Sequence, residues 1–349
     1  MQQIQAIDLF CGVGGLTYGL NGAGIDVLAG VDIDPASRFP FEANNKAEFI
    51  QESVEDICGL DLRKKYSKKA IRLLAGCAPC QPFSSYSQGP RGKKDNQWRL
   101  LEEFSRLVNE SKPELITMEN VPTLIRHPVF KKFLDSLSYH PSGRRRYHVT
   151  YQLVHCEGYG LPQSRKRLVL LASKFGKISI KPPSSKRKTV KDAIGKLPRQ
   201  SAGGIDAKDI FHRSATLSAK NMKRIKQSKP GGTWQDWDRS LVATCHKKAT
   251  GKTYPAVYGR MEWDKPAPTI TTQFFGYGNG RFGHPTQNRA ITLREGAILQ
   301  SFPKSYKFVS KGTPVEFTTV GRLIGNAVPP LLGKLIGESI KAHINEHNK

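Results

Sequence analysis

The chain has 349 residues, 38% of them hydrophobic, and carries 55 Lys and Arg against 29 Asp and Glu, a formal charge of +26. That length supports one sizeable core plus a smaller one, and the charge predicts a polyanionic partner. No run approaches the ~20 apolar residues of a membrane span, and six irregularly spaced cysteines exclude a disulfide framework for so long a chain.

Residues 4–10 predict a buried strand, and glycines 12, 14 and 15 a tight turn into a helix over residues 16–22. Residues 27–31 predict a second strand, ending at Asp32. Strand, Gly-rich turn, helix, strand, acid is the order of a nucleotide-binding α/β unit. Pro35 suits the first turn of a following helix, whereas Pro40 should interrupt it. Residues 71–75 and 115–118 predict further strands, separated by a helix whose Leu100, Leu101, Phe104, Leu107 and Val108 share one face. Residues 147–155 and 167–173 predict a β pair around a Gly-rich loop. From Pro182 to about Met261 the chain is rich in Lys, Ser and Gly with short apolar clusters, which argues for a separate small domain. A helix is expected over residues 292–303, with Leu293, Ala297, Ile298 and Phe302 on one stripe, another opening at Thr313-Pro314, and a last over residues 331–344.

Charge is concentrated in the middle of the chain: residues 181–253 hold 18 Lys and Arg against 5 Asp and Glu. Trp234, Trp237 and Tyr254 are interleaved with those charges, a combination that favours a folded nucleic-acid surface. Met1-Gln2-Gln3-Ile4-Gln5 lacks the basic start of a signal peptide, so a soluble, cytoplasmic protein is expected. Cys77 and Cys80 form a C-x-x-C without a second Cys or His pair at zinc spacing, and Cys245-His246 reads as structural, so no metal is expected.

The loop Cys11-Gly12-Val13-Gly14-Gly15 serves NAD, FAD or S-adenosylmethionine equally, but it lacks the full G-x-G-x-x-G spacing for a pyrophosphate. Asp32 stands about where a carboxylate binds ribose hydroxyls. Gly76-Cys77-Ala78-Pro79-Cys80-Gln81-Pro82-Phe83-Ser84 presents a thiol on a stiff loop after a strand, a position suited to nucleophilic attack. Arg165 and Arg167 are expected to alternate on one strand and point to the same face.

Taken in order, Asp8-Leu9-Phe10-Cys11-Gly12-Val13-Gly14-Gly15-Leu16, the Pro79-Cys80 segment, Glu119-Asn120-Val121-Pro122, Gln163-Ser164-Arg165-Lys166-Arg167 and Gly325-Asn326-Ala327-Val328-Pro329-Pro330 resemble the DNA cytosine-5 methyltransferases, over residues 4 to about 335. The resemblance implies a Rossmann-like α/β S-adenosylmethionine-dependent domain (residues 1–181 and 315–349) with an inserted small target-recognition domain (residues 182–314). It implies that Cys80, directly after the proline, adds to C6 of a flipped cytosine in duplex DNA and makes C5 nucleophilic. Glu119 would manage the charge at N3, Arg167 would donate to O2, and Arg165 would hold the nucleophile loop or its phosphate. Cys77 then reads as a structural cysteine, whose replacement by Ala leaves transfer largely intact.

For the cofactor, S-adenosyl-L-methionine, the resemblance implicates Asp8, Leu9, Phe10, Cys11, Gly12, Gly14, Gly15, Leu16, Asp32, Ile33, Ser53, Val54, Pro79, Asn326, Ala327 and Val328. Phe10 would pack on the adenine or ribose. The position that usually contacts the adenine amino group is Ser53 or, in a slipped register, Asp56. Gly325 to Val328 would begin the last helix. The family's Arg two residues after Asp95 is replaced by Gln97, with Arg99 as its substitute. A monomer is expected, with a cognate restriction endonuclease acting separately. A tRNA cytosine-5 methyltransferase and a catalytically inactive DNA-binding relative are the alternatives; a dinucleotide oxidoreductase is the remote third.

Overall fold

A computed structural model of the chain describes residues 2–79, 95–140, 142–183, 186–248, 251 and 253–347. The chain divides into two compact units, one made of Met1–His155, Lys166–Pro183 and Ala327–Lys349 and the other of Cys156–Arg165 and Ser184–Asn326.

The first unit contains, in chain order, β1 (Ile4–Leu9), α1 (Gly15–Gly22), β2 (Asp26–Val31), α2 (Arg38–Asn44), β3 (Glu48–Ile50), α3 (Gly59–Lys65), β4 (Ile71–Gly76), α4 (Asp95–Ser111), β5 (Leu115–Asn120), α5 (Pro128–Ser138), β6 (His148–His155) and β7 (Lys166–Ser173). The sheet runs β3-β2-β1-β4-β5-β7-β6, with β7 antiparallel to both neighbours and the remaining pairs parallel. It is the Rossmann-like α/β fold. β1 and β5 are buried along their whole length, as strands covered on both faces should be, which is why apolar residues stand on both faces of each. On α4, Leu101, Phe104, Leu107 and Val108 enter the core beneath the sheet with Leu100 at its margin.

Pro40 does not interrupt its helix. It is the third residue of α2, in the first turn, where the missing N–H has no intrahelical partner to lose. β5 extends through Asn120 because Glu119 and Asn120 pair with Val169 and Leu168 of β7.

The second unit supplies α6 (Val190–Ile194), α7 (Ala219–Gln227), α8 (Thr244–Lys247), α9 (Leu293–Leu299) and α10 (Phe317–Asn326), and the first unit closes with α11 (Pro330–His347). Three boundaries differ from expectation. α9 stops before Phe302, its exit marked by Ser301 at φ 69°. α10 begins at Phe317 because Thr313 closes a turn onto Ser310. Gly325 and Asn326 end α10 instead of beginning α11, since consecutive Pro329 and Pro330 force extended backbone before the last helix. α11 packs on α1 backbone to backbone: a Cβ on Gly19 would lie 2.3 Å from the Pro330 carbonyl oxygen.

The tryptophans of the basic region face inward. Trp234, Trp237 and Leu241 form a small core, Trp237 Nε1 donates to Ser228 Oγ at 2.9 Å, and His246 stacks on Trp234. Sequence proximity to charge made them look like a binding surface; burying large rings in a small unit is worth more to the fold. Tyr254 remains exposed. Among the described residues, no helix is long and apolar enough to cross a membrane.

Candidate active site

β1 is central, with β2 and β4 on either side, so the crossover direction reverses between β1 and β4 and their carboxyl ends open a crevice. Leu9 is in register with Gly76, and the Cys77 N–H donates to the Leu9 carbonyl at 3.3 Å. The Gly-rich loop and the loop leading to Cys80 therefore depart side by side.

In the first loop Phe10 adopts φ 57°, a left-handed conformation uncommon outside glycine. Gly12 follows at φ +51° with open space where a Cβ would stand, whereas a Cβ on Gly14 would lie 2.5 Å from Asn45 Nδ2. Room for a ligand thus lies at Gly12. Asp32 shapes the same corner: its Oδ2 accepts from the Gly12 N–H at 2.8 Å and its Oδ1 from the Asp34 N–H at 2.9 Å. Next to it Ile33 is 69% exposed, an apolar side chain with little to cover it within its own loop. Leu9, Cys11, Leu16 and Val54 are buried and support the loops from beneath, and Gly15 opens α1. Ser53 is half-buried, its hydroxyl accepting from the Glu55 N–H at 3.3 Å and its carbonyl from the Asp56 N–H at 3.0 Å. Asp56 is exposed.

Asp8 lies below this loop, fully buried, with Oδ2 accepting from Thr17 Oγ1 at 2.7 Å and Oδ1 without a hydrogen-bond partner among the described residues. Burial pushes its carboxyl up to about 7, the Thr17 bond opposes that, and the charge of Asp32 adds to it. The folded-state value lies above the unfolded one, so the stabilising contribution is complete below about pH 4 and is lost as pH rises through 7. Asp8→Asn keeps an acceptor for Thr17 and cannot ionise. It is expected to raise the thermal midpoint by a few degrees at pH 8.5 and by clearly less at pH 5. Melting curves at the two pH values check this, and an equal shift at both would count against it.

The second loop carries the other half of the site. Glu119, near the end of β5, is 3% exposed. Its Oε1 stands 2.9 Å from Arg167 Nε, and its Oε2 accepts from Cys77 Sγ at 3.0 Å. Asn120 Nδ2 donates to the Ala78 carbonyl at 3.1 Å, and its Oδ1 accepts from the Val121 N–H at 2.8 Å. That residue ties the segment before Cys80 to the end of β5. Pro79 is exposed, and Cys80 itself lies outside the described residues, as do residues 81–94. Cys77 is not the buried structural thiol expected; it is half-buried against a carboxylate. Thr17 and Asn120 were also without assigned roles, although Asn120 directly follows Glu119 in its motif.

Arg165 and Arg167 do not share a strand face. β7 begins at Lys166, and Arg165 belongs to the second unit, where it is buried and donates to the Ile270 carbonyl at 3.2 Å. Gln163 fixes it there: its Oε1 accepts from the Ile270 N–H at 2.9 Å, and its Nε2 donates to Gln300 Oε1 at 2.7 Å. Alternation failed as a guide because Arg165 precedes the strand. Asn326 is an exposed residue of the second unit, while Ala327 and Val328 are buried in the first. Arg99 is engaged by Glu55, Nε to Oε1 at 3.3 Å.

A family model of C-5 cytosine-specific DNA methylases matches residues 4–342. The chain is 51% identical over 341 residues to the type II methylase M.HgiDII of Herpetosiphon aurantiacus, covering 96% of this chain and 94% of that protein. It is 31% identical over 345 residues to the type II methyltransferase M1.HphI of Haemophilus parahaemolyticus, covering 97% and 87% respectively. Among solved structures it is similar to a protein described as a DNA modification methyltransferase encoded within a prophage (E. coli), with a TM-score of 0.74 at 23% identity, covering 98% of this chain and 100% of that one. The Dnmt2 methyltransferase of S. pombe superposes with a TM-score of 0.59 at 16% identity over 100% of both chains. These two likenesses speak to the fold.

Proposed function

The chain belongs to the C-5 cytosine-specific DNA methylases, and from that premise we propose that it methylates C5 of a flipped cytosine in a short duplex DNA sequence through a covalent Cys80–C6 adduct. The observation that carries the proposal is Glu119, held at the carboxyl edge of the sheet between Cys77 and Arg167 and beside the segment that leads to Cys80.

The residues of the first loop fit S-adenosyl-L-methionine. Asp32 offers acceptors for ribose hydroxyls, Ile33 and Phe10 an apolar surface for the purine, and Gly12 room for close approach. When bound, that cofactor supplies a methyl group activated on a sulfonium. Attack by the Cys80 thiolate on C6 breaks the aromaticity of the ring and makes C5 an enamine carbon. The electron pair released toward N3 is met by a proton held or shared by Glu119, and Arg167 donates to O2. Loss of the C5 proton to a base then lets the Cys80–C6 bond break and restores the aromatic ring. The target atom lies inside a base stack, so the base must leave the duplex, at a cost of about a few kcal/mol.

Phosphate contacts from the basic second unit offset that cost. On α7 the buried side is Arg224 and Ile225, with the Arg224 guanidinium lying over Tyr258 and Trp237. Its solvent side carries Lys220, Lys223 and Lys226, continued by Lys229; all are exposed and none is ion-paired among the described residues. Like charges at this spacing repel along a helix, and a polyanion relieves the repulsion. Replacing Lys220, Lys223 and Lys226 by Ala is expected to weaken binding to all duplex sequences alike. The slope of log K against log salt should become shallower by about one per lysine. Titration of binding at several salt concentrations measures this, and an unchanged slope would place the phosphate contacts elsewhere in the second unit.

Bisulfite sequencing of DNA from cells expressing the protein tests the function itself. The expected result is protected cytosines confined to one short sequence context. Uniformly converted DNA together with methyl transfer to tRNA would move the substrate to the tRNA branch of the family.

A further inference from the structure

Cys77 sits at the exit of β4, and its thiol donates to Glu119 Oε2 at 3.0 Å while Arg167 Nε occupies Oε1 at 2.9 Å from the opposite side. We propose that Cys77 is a positioning residue that fixes the plane of the Glu119 carboxyl for its work on the cytosine ring. The proposal rests on the reading of Glu119 as the group that manages charge at N3.

The terminal torsion of a glutamate is broad and roughly two-fold, so a single contact from Arg167 leaves the carboxyl free to turn about it. A second donor on the other oxygen removes that freedom. β5 lies between β4 and β7 in the sheet, so the ion-pairing guanidinium and the donating thiol reach Glu119 from both neighbours of its own strand. The thiol is itself well placed. The Cys77 N–H is bonded to the Leu9 carbonyl of β1, and the carbonyl of the next residue, Ala78, accepts from Asn120. A thiol is a weak donor, and a carboxyl oxygen is among the better acceptors open to it. Because Leu9 also begins the loop at Gly12, the same backbone segment links the cofactor side of the crevice to the orientation of the acid.

The test uses the full-length protein and single-turnover transfer of labelled methyl to duplex DNA carrying its methylated site. Cys77→Ala is expected to lower the single-turnover rate roughly tenfold, about the worth of one hydrogen bond. Dissociation constants for cofactor and DNA and the thermal midpoint should not move. Cys77→Ser, which keeps a donor, should recover most of the rate. In a Glu119→Gln background the Cys77→Ala change should have no further effect, because two residues acting through one group are not additive. A wild-type rate for Cys77→Ala overturns the proposal, and so does a tenfold loss that persists in the Glu119→Gln background. A fall in thermal midpoint shared by the Ala and Ser variants would assign Cys77 to the fold instead. Full activity of Glu119→Gln alone would remove the reading of the acid, and the proposal with it.

Discussion

Replacing Glu119 by Gln is expected to lower methyl transfer by about two orders of magnitude or more, with the cofactor dissociation constant unchanged. The amide keeps the shape of the side chain and an oxygen to face Arg167, so the packing around a residue 3% exposed has no reason to change. What it cannot do is hold or share an acidic proton. The charge that proton meets exists only after attack at C6, so the loss falls on the transition state and not on ground-state binding. Single-turnover kinetics and equilibrium cofactor binding, measured on the same preparation, separate the two. A defect confined to cofactor affinity would reassign Glu119 to the cofactor side of the crevice.

Cys80→Ser is expected to reduce methyl transfer to background and to abolish the covalent complex with DNA containing 5-fluorocytosine. A thiol titrates near pH 8.5 and can be driven to the thiolate by its surroundings, whereas a serine hydroxyl offers no comparable anion for addition to C6. Fluorine at C5 leaves no proton to lose, so the wild-type adduct persists and can be seen as a band retarded under denaturing conditions. Cys80 lies outside the described residues, but the segment before it is anchored at Cys77 by Leu9 and at Ala78 by Asn120. A fully active Cys80→Ser protein would sink the covalent mechanism.

Much of the first unit was legible from the sequence because its strands are covered on both faces. The largely apolar runs of residues 4–9, 71–75 and 115–118 have no exposed face to blur them, and the helix carrying Leu101, Phe104, Leu107 and Val108 has one apolar stripe. Turn chemistry was legible too, since Gly12 and Gly14 do adopt positive φ. The second unit was not legible in that way. Its short helices are held by individual polar bonds, such as those of Gln163, and by small aromatic clusters that no period announces. Trp234 and Trp237 lie next to exposed charged residues in the chain yet face a core.

By itself the sequence determined the family, through five motifs in order, and with it the fold, the class of reaction and the residue types at the crevice. It could not determine which of those side chains touch. That Arg167 and Cys77 occupy the two oxygens of Glu119 follows from β5 lying between β4 and β7, a sheet order that places residues 42 and 48 positions away against one carboxyl. That Arg165 does not join Arg167 follows from β7 starting one residue later, a boundary set by strand pairing and not by the residues themselves. Long-range pairing is decided by the summed burial of whole elements, so a local pattern of two arginines or two cysteines carries no information about it until the sheet is assembled.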